Sequence, residues 1–251
     1  MIRNDLHVHS IQSSCGLHTL FEIVMIAHGK GMNLVNISDH GPGSGRFINL
    51  GVMSERSRLP DPVTIPGGPS LFVLRGIEAN IMNRRGDSDL NDMHMRKLDL
   101  ISAGFHTCSQ LPAFGSEKVN TAALINFLQQ YPLDILTHPC IRPFPLDIAT
   151  VIDLSLTYGF ALEVNNTSLR LDKTNRDILM EMIILARDKQ ALLVETSDGH
   201  TYHEIGENEA IESLLEDLSV NGDLLFLNRD DEKLKLFIQA RRRDRLNYQS
   251  Q

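Results

Sequence analysis

Cysteine and aromatic residues are scarce in this sequence, whose 251 residues include three cysteines, no tryptophan and only 6% aromatic side chains. An odd cysteine count in a chain of this length does not suit a disulfide framework, because a core of ordinary size stabilises the fold without cross-links. We therefore expect reduced thiols, which are typical of a cytoplasmic protein. The scarcity of cysteine excludes a small, disulfide-stabilised scaffold.

Long hydrophobic runs are also absent. No uninterrupted apolar stretch reaches the roughly 18 residues that a membrane-spanning helix needs. Asp5 and His7 interrupt the segment in which a signal peptide would have its apolar core. We expect a cytoplasmic protein that does not span a membrane.

The sequence also lacks an excess of positive charge. The 24 Lys and Arg residues are outnumbered by 32 Asp and Glu residues, which gives a net charge of −8. Because nucleic-acid binding needs clustered Lys and Arg, we expect no nucleic-acid partner. The one basic run, Arg241-Arg-Arg-Asp-Arg245, lies in a predicted C-terminal helix, where we interpret it as a solvated face.

Seven short segments rich in Val, Ile, Leu and Phe predict buried strands. They are residues 5–8, 34–38, 71–75, 98–102, 133–137, 160–164 and 191–195. Amphipathic helical patterns lie between most of them, at residues 18–30, 121–131, 146–158 and 175–189. This alternation indicates βαβ units and a parallel sheet. We predict one α/β domain, residues 1–251, whose sheet closes as a seven-stranded barrel, with an open doubly wound sheet as the alternative.

Two segments interrupt the alternation. The connection from Gly41 to Pro69 is long, and because such loops are often functional we predict a lid or pocket wall there. Residues 83–92 are polar around Gly86, which predicts a hairpin that extends the third strand. The predicted N-caps of the helix at 175–189 are Asp172 and Thr174.

Histidines and carboxylates follow the ends of six predicted strands. His7 and His9 are spaced i, i+2 in an extended segment, which places both imidazoles on one face. Asp198 and His200 repeat this spacing after the seventh strand. The full set is His7, His9, His40, Glu78, His106, His138, Asp198 and His200. Because the carboxyl ends of parallel strands meet at one face, we expect these side chains to converge there.

The number of these residues favours a metal site. A single strand-end histidine is most often a half-buried structural residue, but a whole set at successive strand ends is typical of metal ligands. Histidine and carboxylate together suit zinc, manganese or iron better than calcium or magnesium. The set exceeds what one ion can use, so two or three ions are implied.

Six motifs in chain order resemble the PHP (polymerase and histidinol phosphatase) family, and most closely its stand-alone phosphatases. They are Asp5-Leu-His-Val-His-Ser, Ile37-Ser-Asp-His-Gly, Gly76-Ile-Glu-Ala-Asn, Gly104-Phe-His, Thr137-His-Pro and Ser197-Asp-Gly-His. The resemblance spans essentially the whole chain. It implies a distorted (β/α)7 TIM-like barrel with up to three metal ions, commonly Zn²⁺ and sometimes Mn²⁺ or Fe.

The resemblance also implies how the ligands divide among the ions. One ion would be held by His7, His9, Glu78 and Asp198. A second ion would share Glu78 as a bridge and add His106 and His138. A third would take His40 and His200 with one further residue from the first motif region.

That further residue is where the sequence departs from the family, which usually has histidine, and sometimes aspartate, at the position of Cys15. A Cys15 thiolate would bind zinc directly (Zn–S roughly 2.3 Å). His18 is the rival ligand, and a third site that uses neither residue stays open. Asp39 is either a carboxylate that orients a metal-bound imidazole or an exposed turn residue.

The implied activity is hydrolysis of a small phosphate monoester by a metal-activated hydroxide, with no serine or cysteine nucleophile. Two alternatives stay open: an amidohydrolase-type hydrolase, and a non-catalytic regulator or nuclease-like PHP module. Arg46, Arg142 and Arg170 follow strand ends and either grip phosphate or lie on the surface. Cys108 and Cys140, two residues after His106 and His138, are interpreted as small buried thiols, with a position near the site as the alternative. The natural substrate and the oligomeric state are not encoded in any motif.

Overall fold

The computed structural model describes residues 1–45, 51, 58, 62, 63 and 70–247, and its centre is one parallel sheet. The strands are β1 (Asn4–Val8), β2 (Leu34–Ile37), β3 (Phe72–Asn80), β4 (Leu100–Gly104), β5 (Ile135–Leu136), β6 (Ala161–Asn165) and β7 (Leu193–Thr196). Neighbours in the sheet follow chain order from β1 to β7 and every pairing is parallel. A parallel bridge between Val8 and Gly199 joins the two edges. The predicted distorted (β/α)7 barrel is therefore confirmed, and the open doubly wound sheet is wrong.

Helices follow most strands in the described part of the chain. They are α1 (Leu20–Gly29), α2 (Asp92–Met95), α3 (Glu117–Gln130), α4 (Ile148–Tyr158), α5 (Asn166–Arg170), α6 (Arg176–Lys189), α7 (Glu209–Leu218), α8 (Gly222–Leu225) and α9 (Asp231–Asn247). Short 3-10 turns lie at Ile11–Ser13, Pro42–Ser44 and Leu227–Arg229. Among the described helices, none combines the length and the apolar character needed to cross a bilayer.

Local side-chain contacts set the helix starts. Thr19 and Glu22 form a reciprocal capping box that begins α1. Asn175 caps α6 by accepting the Ile178 amide proton (3.4 Å), so the predicted caps Asp172 and Thr174 are wrong. Asn175 directly precedes the first helical turn, whereas Asp172 is held by an ion pair with Arg142.

One apolar cluster takes a residue from each of the seven strands and closes the end of the barrel at which the strands begin. Its strand members are Leu6, Leu34, Leu74, Leu100, Ile135, Ala161 and Val194. Helix α9 completes this cluster with Leu234, Phe237 and Ile238. Burial of these apolar side chains stabilises the barrel at the end opposite to the site described below.

The basic run of α9 packs against the barrel, so its interpretation as a solvated face is wrong. Arg245 is only 2% exposed and is paired with Asp134, and it donates to the Leu98 carbonyl (3.1 Å). Arg242 reaches Asp99 (Nη2–Oδ1 2.9 Å). Asp99 and Asp134 are buried where β4 and β5 begin, and a buried carboxylate needs a hydrogen-bonded counter-charge.

The seam between β1 and β7 is completed by Asn228. Its amide donates to the carbonyls of Asn4 and Glu195 (2.8 Å each) and accepts the Glu195 amide proton (3.0 Å). Asp5 closes the same seam by accepting hydrogen bonds from Ser197 and from the Gly206 amide (3.0 Å). Side chains thus replace the backbone ladder where these two strands diverge.

A short hairpin follows β3, as predicted. Ile81 and Ser88 form an antiparallel bridge, and Met82 donates to the Asp87 carbonyl (2.8 Å). Gly86 has φ +76°, and a Cβ there would meet the Phe127 nitrogen at 2.2 Å, so the turn requires glycine. Most of the predicted lid between Gly41 and Pro69 lies outside the described residues.

Candidate metal centre

The carboxyl ends of the strands bring the eight strand-end histidines and carboxylates together. Among the described residues, three overlapping groups have ligand atoms within 4.8 Å of one another. The groups are His7, His9 and Asp198; His40, Glu78 and His106; and His9, Cys15, His40 and His200. Only His138 lies outside them, and it contacts Glu78 (Nε2–Oε1 2.8 Å). The predicted convergence is therefore present in the fold.

The first group combines the ends of two strands, β1 and β7. The Nε2 atoms of His7 and His9 lie 3.0 Å apart. The Asp198 Oδ1 atom lies 3.6 Å from His7 Nε2 and 3.3 Å from His9 Nε2. Three donor atoms this close face one common point, which is the arrangement expected around a single ion.

Glu78 lies between two sets of imidazoles. Its Oε2 is 3.4 Å from His7 Nε2, 3.5 Å from His9 Nε2 and 2.8 Å from His40 Nδ1. Its Oε1 is 3.2 Å from His106 Nε2 and 2.8 Å from His138 Nε2. One carboxylate oxygen therefore faces each set, which is the geometry of a bridge between two ions.

Cys15, rather than His18, enters the third group. The 3-10 turn Ile11–Ser13 and the left-handed Ser14 (φ 53°) direct the chain back toward His9. Burial raises the pKa of the Cys15 thiol, but its hydrogen bonds to His200 and His40 outweigh burial and lower that pKa to about 6. His18 instead approaches Tyr202, with ring centroids 6.3 Å apart.

Glu163 is a site residue that the sequence did not reveal. Its Oε1 accepts a hydrogen bond from His7 Nδ1 (2.6 Å), and its Oε2 accepts the backbone N–H of His138 (2.6 Å). Thr196 donates to the same carboxylate (2.6 Å). The His7 proton is thereby held at Nδ1, which leaves Nε2 free to bind a metal. The only available signal was an acidic residue within the buried strand β6.

Ser13 and Asp39 perform the same task for His9. The Ser13 hydroxyl donates to Asp39 Oδ1 (2.7 Å) and accepts from His9 Nδ1 (3.1 Å) and from the His40 amide (2.9 Å). Asp39 is fully buried, so the exposed-turn alternative is wrong. It acts on the imidazole of His9 through the Ser13 hydroxyl.

Buried nitrogens at this site fit metal ligation. In the described part of the chain, His40 Nδ1, both ring nitrogens of His106 and His138 Nδ1 have no hydrogen-bond partner. His40 Nδ1 and Glu78 Oε2 are 2.8 Å apart without hydrogen-bond alignment, so both atoms point at shared space. Buried polar atoms without partners are costly, and a dication would satisfy them. Imidazole, carboxylate and thiolate donors suit zinc.

The electrostatics of the cluster depend on burial. Burial lowers the pKa of His9 to about 3, and the neighbouring His40 adds to this effect. Burial also lowers the pKa of His106. Burial opposes ionisation of Glu78, but the surrounding histidines outweigh it and hold the Glu78 pKa well below its usual range. Burial also disfavours the charged form of His7, His40, His138 and His200, but neighbouring carboxylates, and the Cys15 thiol beside His40 and His200, outweigh it and raise the pKa of these four imidazoles. Metal binding needs neutral imidazole, so a bound dication would displace protons from these four.

Backbone strain is located at two of the site residues. His138 (φ 35°) and Asp198 (φ 51°) have left-handed conformations that non-glycine residues rarely adopt. A Cβ at Gly104 would meet Thr137 Oγ1 at 2.3 Å and His138 Cε1 at 2.9 Å. Strained conformations of this kind concentrate at functional sites.

The structure gives different results for the three arginines considered as phosphate ligands and for the two remaining cysteines. Arg142 pairs with Asp172 (2.6 Å) beside a cavity next to the site. Arg170 pairs with Glu204 (2.5 Å), and Arg46 lies outside the described residues. Cys140 is buried, whereas Cys108 is half-buried and donates to Asn80 Oδ1 (3.2 Å). The buried-thiol interpretation is therefore confirmed for Cys140 only.

Comparison with known proteins gives sequence relatives that cover nearly the whole chain. A "probable phosphatase" from Shewanella piezotolerans is 33% identical over 97% of this chain and 96% of the relative. A "probable phosphatase" from Tolumonas auensis is 32% identical over 94% of each chain. No protein-family model matches the sequence.

Solved structures show the same fold at low sequence identity. A histidinol phosphate phosphatase from Lactococcus lactis, solved with zinc, L-histidinol and phosphate, has a TM-score of 0.56 at 12% identity over 87% of this chain and 94% of that chain. A chain of an archaeal ribonuclease P has a TM-score of 0.57 at 15% identity over 96% and 90%. At 12% and 15% identity, these similarities show the barrel fold and not the chemistry.

Proposed function

The chain belongs to the family of bacterial proteins named probable phosphatases, and from this premise we propose that it is a metal-dependent phosphatase of the PHP type. Its substrate would be a small phosphate monoester. The proposed centre holds two or three ions, with zinc favoured over manganese or iron. The observation that carries the proposal is the position of Glu78 between two sets of imidazoles.

The proposed ligands follow the three groups. Glu78 would bridge the first set (His7, His9 and Asp198) and the second set (His106 and His138). His40, His200 and Cys15 would hold a third ion. Bound dications would supply Lewis acidity toward the phosphoryl oxygens and an activated water. The zinc in the Lactococcus lactis phosphatase supports this metal, as does the thiol of Cys15.

The chain's own residues prepare this centre. Glu163 and Ser13 fix the tautomers of His7 and His9, so both imidazoles present an unprotonated Nε2 to the same point. Among the remaining ligands, Glu78 lies within β3, and the others lie outside helices and regular strands. A preorganised centre of this kind reduces the reorganisation needed when a charged phosphate enters. No residue of the chain needs to act as a covalent nucleophile, because Cys15 lies within the ligand cluster.

The proposed bridging role of Glu78 also counts against the first of the alternative functions. An amidohydrolase-type centre typically bridges its ions with a modified lysine, whereas the bridge proposed here is Glu78, which contacts both sets of imidazoles. A nuclease-like role would be favoured by a basic surface, but the net charge of the chain is −8. The phosphatase is therefore the activity that the site supports best.

The test is turnover of p-nitrophenyl phosphate with added Zn²⁺ or Mn²⁺, measured before and after removal of metal by a chelator. We expect turnover that is lost on chelation and restored by metal, with at least two ions per chain by elemental analysis. Lys118→Gln, at an exposed residue of α3 that belongs neither to the ligand groups nor to the lining of the adjacent cavity, serves as the control for nonspecific loss. Metal-independent turnover, or none alongside fewer than one ion per chain, would rule out the proposal.

A further inference from the structure

A cavity of about 510 Å³ opens directly beside the metal centre. We call it the lateral cavity, and the residues that define it here are His40, His106, Phe114, Ile141, Pro143 and Lys173. His40 and His106 belong both to its wall and to the Glu78 group. A phosphate held at that group would therefore direct its ester substituent into this space. The volume is in the range of small-molecule sites.

The wall of the lateral cavity is mainly apolar. Ile141 and Pro143 are half-buried along it. The buried rings of Phe105 and Phe144 also line the cavity and stack with centroids 5.9 Å apart. Such a wall provides few hydrogen bonds for a polyol, whereas it favours a flat apolar group.

Phe114 adds an exposed aromatic ring at the rim of the lateral cavity. It is 76% exposed and has φ 58°, a conformation that is unfavourable for a bulky residue. Its amide donates to the Pro143 carbonyl (2.5 Å), which holds the ring beside the cavity. A strained backbone that exposes an aromatic ring to water is explained if the ring covers a ligand.

The charge at the far side of the lateral cavity comes from Lys173. Arg142 is already neutralised by two hydrogen bonds to the Asp172 carboxylate (2.6 and 3.0 Å). The Lys173 ammonium forms no ion pair with any residue that the structure describes. Lys173 lines the cavity and is exposed, so its charge is available to an anionic group bound there.

We propose that the lateral cavity binds the leaving group of the substrate, and that this group is a flat ring with an anionic substituent directed at Lys173. The inference rests on the proposed phosphatase function and specifies its substrate class. Phosphate would lie at the histidine cluster, the ring between Phe114 and the Ile141–Pro143 wall, and the second anion at the ammonium.

The test compares three esters of primary alcohols, so that the alcohols released are of one class: glycerol 1-phosphate, benzyl phosphate and 4-carboxybenzyl phosphate. We expect kcat/KM for benzyl phosphate to exceed that for glycerol 1-phosphate by roughly tenfold or more, because the ring buries apolar area. The carboxylate should add about two- to fivefold, as exposed charge pairs do.

Two variants and a control assign these preferences to residues. Phe114→Ala should reduce the advantage of both ring substrates, and Lys173→Gln should abolish only the advantage of the carboxylate. Lys118→Gln should change neither. Equal kcat/KM for glycerol and benzyl phosphates, or an equal loss on all three esters in Lys173→Gln, would overturn this inference while leaving the phosphatase intact. Absence of metal-dependent turnover with any ester would instead overturn the phosphatase itself.

Discussion

The two ends of the barrel differ in whether their buried polar groups have partners within the protein. Where the strands begin, the buried carboxylates of Asp99 and Asp134 are paired with arginines of α9. Where the strands end, histidine nitrogens such as those of His106 are buried without hydrogen-bond partners in the described part of the chain. A polar group satisfied by the protein stabilises the fold, whereas one left unsatisfied is available to a ligand. The first end is therefore built for stability and the second for binding.

Removal of an arginine should affect the first end alone. Arg245→Ala leaves Asp134 with Arg241 as its remaining counter-charge (Nε–Oδ1 2.7 Å), so the cost should lie near about 3 kcal/mol, the lower end of the range for breaking a buried pair. We expect the free energy of unfolding in urea to fall by that amount, with little change in bound metal per folded chain. Arg243→Ala, an exposed residue of the same run, is the matched control and should cost less than about 0.5 kcal/mol. Equal losses from both variants would show that the arginine run is a solvated face after all.

Removal of the charge of Glu163 should have the converse effect at the second end. Glu163→Gln weakens the hydrogen bond that holds His7 in its metal-binding tautomer (2.6 Å). We expect about a 10- to 100-fold weaker metal affinity, measured by competition with a chromophoric chelator. Urea unfolding of the metal-free variant should change less than that of Arg245→Ala. An unchanged affinity would show that Glu163 serves only the barrel.

The smallest effect should come from the third ligand group. Cys15→Ala should lose one ion per chain because it removes one of the three donors proposed for the third ion. Its free energy of unfolding without metal should stay within about 0.5 kcal/mol of the unsubstituted protein, because the side chain is small and half-buried. His18→Ala should keep all its ions, and the reverse result would exchange the roles of the two residues.

Local sequence patterns predict much of the structure at both ends of the barrel. The roles of Glu163 and Arg245 were missed for one shared reason. The seven strands and the strand-end histidines follow from periodicity and from the rule that parallel strands end at one face. The role of Glu163 did not, because it depends on His7, which is 156 residues away. The docking of Arg245 depends likewise on Asp134, which is 111 residues away. A sequence pattern shows that a helix has a charged face, but not what that face meets.

The choice between Cys15 and His18 was a matter of loop geometry. The two residues lie within one turn of the same segment, and both are competent zinc ligands. The left-handed Ser14 and the tight contact at Gly16, where a Cβ would meet the His9 carbonyl at 2.5 Å, turn Cys15 toward the cluster. Such a conformation arises from packing, so the sequence left the alternatives open.

The proposed bridge offers the most direct test of the contrast between the two ends. Elemental analysis of Glu78→Gln beside the unsubstituted protein should show the loss of at least one ion per chain, together with a fall in phosphatase activity of about 1000-fold or more. Asp134→Asn, at the opposite end, should keep its ions while it loses stability. Full metal content in Glu78→Gln would contradict the bridge, and with it the assignment of the strand-end cluster as a metal centre.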